Sequence, residues 1–176
     1  MIIENSETYN LYINKLEDTS GIRIINFDNL REALKIRHDF FHKMGCRISD
    51  HGLDRFYSDE FTHGDLVSYF TRVRKGGSLN AEEVSKFKSG MLYYFSVMDA
   101  EKDWVQQFHS GAIRNNNTQM FLKLGADTGF DSIGDYPSAL SIAALMNRLN
   151  KDGKLAKTIL YNLNPSENEV FATMVG

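Results

Sequence analysis

Apolar residues recur at helical spacing along most of the chain. Tyr9, Tyr12, Ile13 and Leu16 mark one face of a helix over about Glu7 to Leu16 that closes near Gly21. Asp28 reads as the cap of a second helix, about Asn29 to Lys43, which stops at Gly45. Its predicted buried positions are Leu30, Ala33, Leu34, Phe41 and Met44. A strand from Cys46 to Asp50 follows, then a turn at Gly52 and a polar, aromatic excursion with a short helix from His63 to Arg74. Asn80, with Glu83 three residues later, announces the longest helix, whose inner stripe is Val84, Phe87, Met91, Phe95 and Met98.

A second strand runs from Trp104 to His109, and Gly111 to Asp135 is a long polar segment with one short helix near Thr118 to Leu124. Pro137 lies in the first turn of a helix reaching Leu149, and Lys157 to Asn162 is a third strand. Ser166 and Glu169 box the start of a last helix. Strands alternating with helices predict an α/β chain with parallel strands joined by crossover helices. The strands show little polar alternation, which predicts a sheet covered on both faces. Successive strands lie so far apart that an eight-stranded barrel at this density would need roughly 400 residues. Further strands must therefore come from elsewhere.

In 176 residues there is room for one core, and no internal repeat or linker divides the chain. The net charge of −3, with no run of either sign, argues against nucleic acid. No apolar stretch approaches the roughly 18 residues needed to span a membrane, no signal-peptide pattern opens the chain, and a cytoplasmic location is expected. Cys46 is alone and reads as a small buried hydrophobe. The closing ENEVFATMVG stops within an amphipathic pattern, so Gly176 either terminates a helix or marks a cut.

Ligands of parallel α/β folds lie at the carboxyl ends of the strands. Those ends carry Asp50 and His51 on the first strand, His109 on the second with Arg114 beyond it, and Asn162 and Asn164 on the third. A carboxylate, imidazoles and a guanidinium suit proton transfer on, and binding of, a hydroxylated anion. Each has a plainer reading. Asp50 can cap the Gly52 turn, Arg114 can be a solvated loop residue beside Asn115 to Asn117, and Asn162 and Asn164 can satisfy local backbone groups. His38 and His42 stand one turn apart, but HDFFH lacks the glutamate of zinc proteases, so they read as helix-surface histidines. The glycines from Gly125 to Gly134 match no nucleotide loop.

These same segments resemble the uronate isomerases of the metal-dependent, amidohydrolase-like barrels. The resemblance runs through FFHKMGCRISDHGLD, MDAEKDWVQQFHSGAIRNNNTQMF, LGADTGFDSIGD and KTILYNLNPSENEVFATMVG. It implies a (β/α)8 TIM-type barrel, of which this chain supplies strands five to seven as an incomplete portion. It implies aldose–ketose isomerisation of a hexuronate substrate, with Asp50 and His109 in the active site and Arg114 and His51 as substrate contacts. It also implies a divalent metal such as zinc in the full-length enzyme, held by a His-x-His pair and an Asp that this sequence does not contain, so that the chain alone would be inactive. A metal-dependent hydrolase of the same superfamily and a non-catalytic α/β module completed by self-association into a homo-oligomer are the competing readings.

Overall fold

The first helix forms where Asn5 accepts the Thr8 N–H and starts α1, Ser6–Ser20, and where Gly21, at φ 73°, turns the chain out of it. Residues 3–175 are described in this computed structural model, so Gly176 lies outside the described residues. The second helix, α2 at Phe27–Lys43, is capped by Asn26 and not by Asp28, because the Asn26 side chain accepts the Asn29 N–H. Tyr9, Ile13 and Leu16 of α1 pack with Phe27, Leu30 and Ala33 of α2. Tyr12, Phe41 and Met44 are exposed instead. The first flanks the packed stripe, Phe41 lies in the last turn of α2, and Met44 is the residue that caps its end.

Two further helices complete this layer. Thr62 and Asp65 form a capping box at α3, His63–Arg74, and Asn80 and Glu83 form the expected one at α4, Ala81–Glu101. Helix α4 serves two cores. Phe87 and Met91 enter the all-helical cluster with Tyr9, Phe27 and Phe70, whereas Leu92 joins Phe56, Phe108, Ile142, Leu145, Leu149 and Phe171 on the sheet. Phe108 is completely buried, which stabilises the fold by roughly 1.5–3 kcal/mol.

The sheet is parallel. Its strands are β1 at Ile48–Leu53, β2 at Val105–Ser110, then, after a small antiparallel ribbon of β3 (Ala112–Ile113) and β4 (Ser132–Ile133), β5 at Thr158–Asn162. The order is β1-β2-β5, with Asp50 paired to Gln107 and His109 to Tyr161. The short helix α5 is Thr118–Leu124, α6 is Ala139–Lys151, and α7 is Asn168–Thr173. Pro137 precedes α6, whose N-cap is Ser138. The predicted Ser166–Glu169 box does not form, because Asn164 caps a short 3-10 turn at Pro165–Glu167 and takes the Ser166 N–H itself.

Burial alternates along each strand, contrary to the expectation of two covered faces. Phe108 and Leu160 face the helices, whereas Ile48, Asp50, Ile159 and Tyr161 are exposed on the other face. Among the described residues β1 and β5 have their outer edges unpaired.

The base of the sheet corrects two other expectations. His38 is embedded, its side chain 11% exposed and its Nε2 3.0 Å from buried Asp99, which also accepts the Ser49 hydroxyl at 2.6 Å. His42 accepts the Trp104 indole N–H at 2.8 Å. Cys46 is half-buried, its thiol directed at the Ile48 carbonyl.

Candidate active site

Strand parity divides the polar residues of the first strand. Residues two apart share a face, so Asp50 and Gly52 point to the open side while Ser49, His51 and Leu53 point to the helices. The sequence boundary at Asp50 obscured this, since β1 continues to Leu53. His109, one residue before the end of β2, shares the open face, and its register partners are Gly52 on one side and Tyr161 on the other.

Asp50 and His109 meet there. Nδ1 of His109 is 2.7 Å from Oδ1 of Asp50, with the two side chains 43% and 61% exposed. A carboxylate accepts only, so Nδ1 carries the hydrogen and Nε2 is left as the basic nitrogen. Ion pairs this exposed contribute about 0–1 kcal/mol. The contact therefore does little for folding, and its effect is to orient the imidazole and fix its tautomer.

Tyr161 was not singled out by the sequence, yet it lies against the same ring. Its centroid is 4.2 Å from that of His109 and the planes differ by 1°. Within TILYN nothing distinguishes this tyrosine from a strand-forming aromatic, and only the parallel register places it beside His109. Tyr161 shares its face with exposed Ile159, two residues before it.

Arg114 arrives from beyond β2. A Cβ on Gly52 would lie 3.9 Å from its Nη2, so the glycine leaves the strip beside His109 open and the guanidinium hangs over it. Nη1 donates to Asp131 at 2.7 Å, and Asp131 also accepts the Asn115 N–H at 2.9 Å. The Asn115 N–H first, and then the guanidinium, hold the Asp131 carboxyl below its ordinary range. Asn115 adopts φ 57°, Asn116 donates to the Ile113 carbonyl and Asn117 caps α5, so the asparagine run shapes the loop.

The structure does not bring His51 to this face. Its ring stacks against Phe95 and Phe108 at 5.6 and 5.5 Å on the helix side, where burial pushes its pKa down. The Asn162 side chain bonds the Asn164 backbone, its Nδ2 donating to the Asn164 carbonyl and its Oδ1 accepting the Asn164 N–H, while the Asn164 side chain donates to Asp135 and accepts the Ser166 N–H. Among the described residues no three His, Cys, Asp or Glu side chains are grouped to hold a metal ion. Asp50 and His109 offer two donors already bonded to each other, short of the four or more ligands that a zinc or magnesium ion takes. These residues do not build a metal site by themselves.

The profile of the glucuronate isomerase family matches residues 1–176. Over 176 residues the chain is 53% identical to a uronate isomerase of Bacteroides thetaiotaomicron, and it covers 38% of that protein. With a uronate isomerase of Cellvibrio japonicus the identity is 51% over 176 residues, 37% of that chain. The crystal structure of a uronate isomerase from Thermotoga maritima superposes with a TM-score of 0.88 at 28% identity, covering 94% of this chain and 36% of that one. A glucuronate isomerase from Caulobacter crescentus gives 0.78 at 25% identity, with coverages of 88% and 32%. The chain thus spans less than two fifths of the length of these relatives, and the two sequence relatives match it along its whole length. Residues 1–176 belong to the glucuronate isomerase family.

Proposed function

We propose that this chain forms part of a uronate isomerase that interconverts D-glucuronate with D-fructuronate and D-galacturonate with D-tagaturonate in the cytoplasm. The whole-length family match supports the reaction, and the observation that carries the site is the Asp50–His109 pair on the open carboxyl-end face. The proposal places β1, β2 and β5 as strands five to seven of a (β/α)8 barrel. The other strands would pair with the two open edges and cover the open face.

The reaction moves the C2 hydrogen of an open-chain aldose to C1, while a proton passes from the C2 hydroxyl to the C1 carbonyl oxygen. An enediol-like intermediate needs a group that can donate to one oxygen and accept from the other as charge shifts between them. Nε2 of His109 has that capacity, because Asp50 holds Nδ1 protonated and stabilises the imidazolium when it forms. Arg114 keeps guanidinium N–H groups beyond its Asp131 bond and would hold the substrate carboxylate above Gly52. His51 supports the site from behind β1 and does not touch substrate. A divalent ion such as zinc would supply electrophilic polarisation in the complete enzyme, through ligands outside these residues.

The test is a chimera in which residues 1–176 replace the 53%-identical segment of the Bacteroides thetaiotaomicron enzyme. The proposal expects the chimera to isomerise D-glucuronate and D-galacturonate. A folded chimera that converts neither refutes it.

A further inference from the structure

We propose that Tyr161 is a positioning residue for His109, acting by its flat ring and not by its hydroxyl; the proposal rests on the isomerase reading of the same site. The hydrogen bond from His109 Nδ1 to Asp50 holds one edge of the imidazole and, between two exposed side chains, leaves play in the tilt of the ring about its Cβ–Cγ bond. The ring is also poorly enclosed. Its side chain is 43% exposed, and its neighbour in register on the β1 side, Gly52, offers no side chain to lean on.

The missing wall is supplied from β5. Tyr161 is the direct register partner of His109, and the two rings lie parallel to within 1° at 4.2 Å. A point contact and a plane together define an orientation, so Asp50 and Tyr161 jointly direct Nε2. The flanks of His109 then differ in kind: the Tyr161 side is closed by an aromatic face, and the Gly52 side carries no side chain of its own and faces the Arg114 guanidinium. Substrate enters from the Gly52 side, and Tyr161 stops the imidazole from swinging away from it. The Tyr161 side chain is exposed on the open face of the sheet, beside that of His109.

Orientation acts on the chemical step more than on ground-state binding. In the chimera, Tyr161→Phe keeps the plane and is expected to retain kcat within about threefold. Tyr161→Leu removes the plane and is expected to lower kcat by roughly 10- to 100-fold with KM changed by less than about threefold. Wild-type kcat in the Leu variant, or a loss in the Phe variant as large as in Leu, overturns the proposal. If the Leu variant does not fold, Tyr161→Met, flexible and without a plane, is read by the same criteria. His109→Ala separates the two levels of the argument. If that variant keeps full turnover, the reading of the site fails, whereas loss of turnover there together with an unaffected Tyr161→Leu removes only the role of Tyr161.

Discussion

Nδ1 of His109 and Oδ1 of Asp50 stand 2.7 Å apart although 59 residues separate them in sequence. Neighbouring parallel strands make the contact possible. Asp50 pairs in register with Gln107, two positions before His109, so the hydrogen bond runs diagonally across one face of the sheet. Asp50→Asn preserves the size of the side chain but presents an amide that can bond either imidazole tautomer. The expected result in the chimera is a fall in kcat of about 10²- to 10⁴-fold, with little change in KM. Steady-state kinetics with D-glucuronate measures it, and an unchanged kcat would show that Asp50 does not govern the tautomer of His109.

A different carboxylate holds the base of the same strand. Asp99 is 2% exposed and accepts from Ser49 at 2.6 Å while lying 3.0 Å from His38 Nε2, so it ties α4 to β1 and α2. Asp99→Ala strands two partly buried polar groups and is expected to destabilise the chimera by about 3 kcal/mol. Urea unfolding monitored by circular dichroism reads the loss. A change below about 0.5 kcal/mol would mean that these hydrogen bonds contribute no more than an exposed ion pair does.

His51 should behave as a buried neutral imidazole. Packing against Phe95 and Phe108 lowers its pKa in the folded chain, whereas the unfolded chain binds a proton near pH 6.5. Folded protein therefore binds fewer protons than unfolded protein below that pH. Stability from this site is complete above about pH 6.5 and is lost as the pH falls from there through the folded pKa. An NMR titration of labelled histidine should find the His51 ring still neutral at pH 6.5, and a midpoint at or above that pH would contradict the packing argument.

Much of the architecture was legible because local physics sets it. The Asn80–Glu83 box, the Gly21 stop and the helix at Thr118–Leu124 each depend on residues within one turn, and each forms as read. Failures came where a distant partner decides. His38 looked like a surface residue until Asp99, 61 positions away, closed over it. Phe41 and Met44 continued an apolar spacing but extend past the layer that would cover them.

The candidate site shows the same division. Asp50, His109 and Arg114 were marked by residue type at strand ends, and the structure brings them to one face. His51 was marked for the same reason and points the other way, because β1 continues past Asp50 to Leu53 and consecutive residues of a strand face opposite sides. Tyr161 escaped notice because its significance lies in register with β2, which strand composition alone does not encode.

The central claim is that the His109 imidazole performs proton transfer for a uronate isomerase and does little for folding. Replacing it by asparagine in the chimera and measuring kcat for D-glucuronate beside the thermal midpoint tests this most directly. The account predicts a fall in kcat of at least about 100-fold with a midpoint within a few degrees of the parent. A kcat within about threefold of the parent, in a variant equally well folded, would contradict it.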